Sequence, residues 1–415
     1  MNTQNAFTRG TTLIQTIIQK MNGLNIRRRS VIIEVLMLFL SFRGRINFLQ
    51  LGRQGNLSER SYRNHFEKEF DWMTFNTQVI DSIKSSEVCI AFDPSYISKS
   101  GKKTPGLGYY YSGVAGKYKR GLEIGNIAVI DRIQNTAYHL ESVMTPVIVE
   151  DEKDGDDSKT LVDHYAQVLI DRKEELLKTS SILVVDGYFA KRKFIDAINN
   201  QTKMEVICRL RDDANLKYLY KGTKQQGRGR PKIYDGKVNV KKIDKRRAKL
   251  TQCTEQYRIY ELEVYSVGLK RNIQLCYVEF LKEKGEVNVI KLFFSTNIQR
   301  PATEILSYYR ARFQMEFLFR DAKQFTGLQH CQARSENKLN FHFNASLTSL
   351  NIAKCILRKD ASRTERMSYS ISDLKIRFQN RNIIYRIFSM YGIDRKLIKN
   401  IRKAQEVISF GAIAA

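Results

Sequence analysis

Two short apolar runs, each halted by an aspartate, most constrain how this chain can fold. Val88-Cys89-Ile90-Ala91-Phe92 leads directly into Asp93-Pro94, and Ile182-Leu183-Val184-Val185 leads into Asp186-Gly187-Tyr188-Phe189. Runs that are apolar at every residue suit strands buried on both faces, and such strands need helices above and below their sheet. Pro94 cannot continue a central strand, so the first strand is expected to end there. Alternating stretches at 109–114, 122–130 and 137–143 predict further strands, with Gly106, Gly108, Gly113 and Gly116 at the turns between them. Helices are expected over 160–177 and 190–199 and one more strand over 205–210. The fold class is therefore α/β, with a mixed sheet spanning residues 86–210.

The flanks read differently. Residues 1–85 show apolar positions at helical spacing in 13–18 and 32–42. Within them 46–51, the turn GRQGN and LSERSYRNHFEKEF resemble helix, turn, helix. Asn56 followed by Glu59 predicts an N-cap with a capping-box acid. The second helix would present Arg60, Arg63 and Asn64 to a DNA groove; an ordinary helical bundle with a basic face would show the same pattern. Residues 211–298 form a β-rich insertion, with strands expected over 257–266, 272–280 and 287–294. Its front is basic: residues 221–249 hold twelve Lys/Arg against Asp235 and Asp244, a local charge of 12 − 2 = +10. From Pro301 the chain is helical again, through a segment 299–350 that completes the α/β unit and a tail 351–415.

Charge and composition narrow the class of partner. With 70 Lys+Arg against 43 Asp+Glu, the net charge is +27, which calls for a polyanion; nucleic acid is the commonest, and a ribosome-bound basic protein is the bland alternative. A hydrophobic fraction of 42% excludes wholesale disorder. No two of the six cysteines form a CxxC pair and none stands at zinc-finger spacing, so they read as reduced thiols of a cytoplasmic protein. The longest apolar run, 31–42, contains Glu34 and is too short to span a bilayer, and the N-terminus lacks a signal-peptide pattern. A soluble protein without a membrane partner is expected.

Asp93 and Asp186 converge if their strands are neighbours. Two carboxylates that close repel unless a divalent cation sits between them, and hard oxygen donors suit Mg²⁺ or Mn²⁺. Each aspartate could equally cap a turn. The helix after Pro301 bears on the choice. Its residues Tyr309, Arg312, Glu316 and Lys323 are offset by three, four and seven, so on a continuous helix they fall within roughly 60° of one another. Arg310, Gln314 and Asp321 form a second polar stripe, and a surface helix needs only one. Glu316 would be a third carboxylate for the metal, with Arg312 and Lys323 on phosphates and Tyr309 against a nucleotide. An Arg312–Glu316 ion pair of purely helical origin would use two of the same residues. In the basic insertion, Arg228-Gly229-Arg230-Pro231 has the core of an AT-hook, whose arginines enter a narrow A·T minor groove; a flexible basic loop on phosphates reads the same.

The order Asp, Asp, then Glu in Y-x2-R-x3-E-x6-K resembles bacterial insertion-sequence transposases of the DDE type, and is most similar to the group with the Y-R-E-K signature. Asp186 also lies in a D-G-Y-F context, as is common in that group. The resemblance implies a ribonuclease-H-like catalytic fold with a β-rich insertion before the Glu helix. It implies Asp93, Asp186 and Glu316 as ligands of two Mg²⁺ or Mn²⁺ ions, and contacts of Tyr309, Arg312, Lys323 and Arg209 with transposon-end DNA. It further implies a homodimer in the synaptic complex, with C-terminal helices at the dimer contact, acting on terminal inverted repeats and target DNA at the bacterial nucleoid. A ribonuclease-H-like nuclease without strand transfer and an inactive DNA-binding regulator are the alternatives.

Overall fold

Side-chain caps start four of the five helices that precede the first strand. The structure is a computed structural model describing residues 3–147, 160–222, 231–283, 285–359, 371–394 and 397–412. The helices are α1 (Thr3–Lys20), α2 (Ile26–Phe39), α3 (Phe48–Gln54), α4 (Glu59–Phe66) and α5 (Trp72–Asp81). Asn25, Asn47, Ser58 and Asp71 each accept a hydrogen bond from a backbone N–H three residues on, a cap contributing about 1 kcal/mol. The expected cap at Asn56 is displaced to Ser58. Asn56 is held instead by Glu34 of α2, whose Oε1 accepts from its backbone N at 2.6 Å and its Nδ2 at 2.9 Å. Glu59 is likewise no capping acid, because it pairs with Arg63 at 2.6 Å. Helices α3 and α4 pack together across a tight turn at Gly55. A Cβ there would collide with the Tyr62 hydroxyl and lie 2.9 Å from the Leu51 carbonyl oxygen.

The next elements are β1 (Val88–Ser98), β2 (Gly108–Ser112), β3 (Lys117–Asp131), β4 (Thr136–Met144), α6 (Leu161–Ile170), α7 (Lys173–Thr179), β5 (Ile182–Val184), α8 (Arg192–Thr202) and β6 (Glu205–Arg209). The helix expected over 160–177 is thus two helices. The acidic stretch 150–157 lies outside the described residues. Strand β1 does not stop at Pro94 but runs on to Ser98 along β3. Among the described residues it has no partner on its other side beyond Ala91, since β5 pairs only with Ile90 and Ala91, and an unpaired edge tolerates proline.

The remaining strands are β7 (Leu216–Leu219), β8 (Tyr234–Lys237), β9 (Lys249–Cys253), β10 (Tyr257–Ser266), β11 (Arg271–Leu281) and β12 (Val287–Ser295). They are followed by α9 (Ala302–Ala311), α10 (Gln314–Phe325), α11 (Glu336–Lys359), α12 (Ile371–Met390) and α13 (Ile398–Ser409). Among the described residues all twelve strands join one sheet, in the order β2-β3-β1-β5-β6-β12-β11-β10-β7-β8, with β4 on β3 and β9 on β10. Strand β3 runs antiparallel to both β1 and β4, whereas β1, β5 and β6 run parallel. That order is consistent with the expected ribonuclease-H-like arrangement. The strands of 211–298 extend the same sheet through the antiparallel β6–β12 pair.

Strand alternation divides the core between the two faces. Cys89, Ala91 and Ile97 of β1 and Ile182 and Val184 of β5 pack with α2, α10 and α11. Val88, Ile90, Phe92, Leu183 and Val185 pack with α6 and α8. The α11 face also holds a buried polar network. His139 Nδ1 lies 2.7 Å from Asn126 Oδ1, and Asn344 and Asn351 of α11 reach His139, Ser142 and Asn76. No helix among the described residues is long and apolar enough to cross a membrane.

Candidate catalytic site

Register places the two aspartates side by side. Ala91 of β1 pairs in parallel with Val184 of β5, and Asp93 and Asp186 each stand two residues further on. Adjacent strands are about 4.8 Å apart, so the carboxylates are lateral neighbours. Counting by twos from Ala91 and Val184 also puts both on the sheet face that α10 covers. Asp186 ends its extended segment by capping a single 3₁₀ turn, Gly187–Phe189, and accepts from Tyr188 N at 2.5 Å. Phe189 anchors that turn in a cluster with Phe92, Tyr165 and Phe194, at ring distances of 4.9–5.7 Å. Burying such a ring stabilises the turn by on the order of 2–3 kcal/mol.

The segment expected to be one continuous helix is two. Helix α9 ends at Ala311 and α10 begins at Gln314. Across the joint the backbone bonds tighten from four residues to three: Phe313 N donates to Arg310 O at 3.1 Å, Met315 N to Arg312 O at 2.9 Å and Glu316 N to Phe313 O at 3.0 Å. Dihedrals at Arg312 and Phe313 stay in the right-handed helical region, so the sequence carries no breaker to signal it. Helix α9 has no side-chain cap of its own; Glu261 of β10 accepts from Ala302 N at 2.8 Å. Arg300 fixes the same end, with Nε and Nη2 donating to the Glu205 carboxylate of β6 at 3.0 and 2.7 Å.

Arg312 leaves this joint toward the aspartates. Its guanidinium stands 3.6 Å from Asp93 and 4.0 Å from Glu316, and its Nε is buried without a partner. Burial pushes the Asp93 carboxyl up to about 7; Arg312 opposes the shift, and Asp186, Glu316 and Glu123 add to it. Burial works against the Arg312 charge, yet the neighbouring acids, Asp93 foremost, outweigh it and raise its pKa. Asp93 and Arg312 are mostly buried, whereas Glu316 is 52% exposed. Lys323 Nζ donates to Ser95 Oγ at 3.1 Å, one alternation beyond Asp93, and its burial lowers its pKa.

The Tyr309 ring lies 4.7 Å from that of Phe293 on β12 and 5.7 Å from the Arg312 guanidinium. Arg209, paired with Phe293 across β6 and β12, borders the same patch and binds Asp212 at 3.2 Å. The structure therefore brings Asp93, Asp186, Tyr309, Arg312, Glu316, Lys323 and Arg209 into one region. Arg60 and Arg63 stand exposed on α4, with Arg63 over the Phe48 ring at 4.6 Å. Arg228 and Arg230 lie outside the described residues. Glu123 lies on the opposite face of the sheet, hydrogen-bonded to Tyr165 of α6, and burial raises its pKa; its charge reaches Asp93 only through the sheet, which no local sequence pattern signals. His330 accepts from Ile46 N at 3.1 Å, which is a packing role.

Three carboxylates and no soft donor suit a hard divalent cation. Among the described residues, however, no three His, Cys, Asp or Glu side chains are drawn together as a metal cage. The Arg312 guanidinium is the cation within reach of Asp93 and Glu316.

The transposase DDE domain family matches residues 132–352, a span that contains Asp186, Tyr309, Arg312, Glu316 and Lys323 and begins after Asp93. No curated protein matches the chain. With more than half of its residues inside that match, the chain belongs to the transposase DDE domain family.

Proposed function

We propose that the protein is an insertion-sequence transposase of the Y-R-E-K group. It binds terminal inverted repeats, hydrolyses a phosphodiester at each end and joins the freed 3′-hydroxyl to target DNA. The observation that carries the reading is the β1–β5 register, which sets two aspartates at one height on the face where α10 brings Glu316. Asp93, Asp186 and Glu316 would hold Mg²⁺ or Mn²⁺; bound there, the metal would activate the attacking oxygen and stabilise the leaving 3′ oxygen.

The chain's own residues prepare that site. In the metal-free protein Arg312 stands between Asp93 and Glu316, and with a divalent ion bound it would be a phosphate contact. Lys323, tied to Ser95, and Tyr309, tilted against Phe293, flank the carboxylates as phosphate and nucleotide contacts, with Arg209 beside them. Residues 1–85, with Arg60 and Arg63 on α4, would be the DNA-binding region. Segments 86–210 and 299–350 would be the catalytic unit, 211–298 the insertion and 351–415 the dimer contact of a homodimeric synapse in the bacterial cytoplasm.

The test is cleavage of DNA carrying the element's ends. Asp186→Ala and Glu316→Ala should abolish Mg²⁺-dependent cutting and leave end binding intact; wild-type cutting by either variant would sink the assignment. A strand-transfer assay on the same substrates separates a transposase from a plain nuclease.

A further inference from the structure

Three segments far apart in sequence line a cleft of about 1630 Å³ that opens beside the outer end of β1. The N-terminal region supplies Arg45 from the α2–α3 link and Arg63 from α4, the β1–β2 link supplies Lys99, Lys102 and Lys103, and the α10–α11 link with the first turn of α11 supplies Arg334 and Lys338. Arg120 of β3 completes the wall, and no lining residue is acidic. Some of these cations are used within the protein: Arg63 binds Glu59, Lys338 binds Glu67, and Lys99 Nζ donates to the carbonyls of Cys331 and Ala333. Arg45, Lys102, Lys103, Arg120 and Arg334 are exposed and bind no acid among the described contacts. Clustered cations without carboxylates repel one another, and an anionic chain relieves that cost. Ser98, on the cleft wall, is five residues along β1 from Asp93, a strand distance of about 17 Å.

The β2–β3 hairpin adds an aromatic face to this wall. Tyr109, Tyr111 and Tyr118 are 73%, 55% and 70% exposed. Tyr111 pairs with Tyr118 and Tyr109 with Arg120 across the strands, so these four side chains share one face. The Tyr111 and Tyr118 rings meet edge-on at 5.7 Å. Alternation along β3 puts Tyr118 and Arg120 on the same side as Asn126, the partner of Asp93. Arg120 therefore joins the cation-lined cleft to the tyrosines. In a duplex the base faces are covered by their stacked neighbours, so exposed rings on a sheet can take only bases that are unpaired. A basic groove with aromatic platforms is the general solution for a single strand.

We propose that the cleft and the hairpin form a binding site for an unpaired DNA strand. Its phosphates lie along Arg45, Lys102, Lys103, Arg120 and Arg334, and its bases stack on Tyr109, Tyr111 and Tyr118. The proposal rests on the transposase reading, which makes DNA the polyanion.

The experiment measures anisotropy of fluorescein-labelled oligo(dT) and of a labelled duplex with the full-length protein in EDTA. Replacing all three tyrosines (Tyr109→Ser, Tyr111→Ser, Tyr118→Ser) should weaken oligo(dT) binding by about tenfold or more and leave the duplex nearly unchanged. The corresponding triple phenylalanine variant should bind oligo(dT) like wild type, since stacking uses the ring and not the hydroxyl. Lys102→Gln with Lys103→Gln and Arg334→Gln should weaken both probes and flatten the salt dependence for oligo(dT) by about two units. Unchanged oligo(dT) binding by the serine variant overturns the proposal, and so does a preference of wild type for oligo(U). End cleavage by wild type, assayed in parallel, keeps the two readings apart. Cleavage with an indifferent serine variant refutes the strand site alone; no cleavage with the expected loss refutes the transposase reading alone.

Discussion

Replacing Asp93 with asparagine should stabilise the metal-free protein while abolishing its chemistry. Asp93 is mostly buried, and its carboxyl is raised from an ordinary 3.8 to about 7, burial outweighing the Arg312 charge 3.6 Å away. The folded state therefore holds a proton that the unfolded chain releases. Stability is unaffected below pH 4, falls as pH rises through the window between the two values, and stays reduced above pH 7. At about 1.36 kcal/mol per unit, the full loss is about 4 kcal/mol, of which about 2.5 kcal/mol falls between pH 5 and pH 8. The amide that replaces the carboxyl does not titrate in this range. Urea unfolding in EDTA, at both pH values, should show the advantage of Asp93→Asn over wild type growing by about that amount from pH 5 to pH 8. If the Asp93–Arg312 ion pair were the stronger term, the variant would instead lose ground as pH rises. An advantage that is constant or shrinking with pH refutes the reasoning.

Further outcomes can be checked separately. Arg300→Ala leaves the nearly buried Glu205 carboxylate without its cation and with only Ser295 and Asn297 to donate to it, so urea unfolding should show a loss of about 3–5 kcal/mol; a loss below about 1 kcal/mol would mean solvent replaces the guanidinium. Gly55→Ala drives a Cβ into the Tyr62 hydroxyl and the Leu51 carbonyl, and should lower the melting temperature and weaken duplex binding through α4. Lys323→Ala should reduce the slope of log affinity against log salt for end DNA by about one unit, and an unchanged slope would assign Lys323 to Ser95 alone.

What can be read from sequence is what repeats locally. The alternation of 257–266 and the continuous apolar runs before Asp93 and Asp186 identify strands β10, β1 and β5 because side-chain period and burial are properties of adjacent residues. The spacing from Tyr309 to Lys323 draws those side chains to one region even though the helix is broken between them. The break itself is not legible, since Arg312 and Phe313 keep helical dihedrals and only their hydrogen bonds shorten. Local pattern favours Asn56 over Ser58 as the cap because it cannot show that Asn56 is claimed by Glu34, twenty-two residues away. Nor can composition reveal that 211–298 pairs into the same sheet, or that Arg45, Lys102 and Arg334 share a cleft. Those depend on contacts between segments that no local pattern encodes.

The paired heights of Asp93 and Asp186 have a consequence for how such a site tolerates change. Each carboxylate is located by a count from a hydrogen-bonded partner, Ala91 or Val184, rather than by a fitted socket of side chains. Apolar exchanges at 89–92 or 182–185 should therefore be absorbed by repacking. A single residue inserted or deleted between 91 and 93, or between 184 and 186, would turn one aspartate toward the opposite layer, away from Glu316. The site is thus forgiving of spelling and intolerant of frame: libraries of apolar substitutions in these strands should keep many active members, and one-residue insertion libraries almost none.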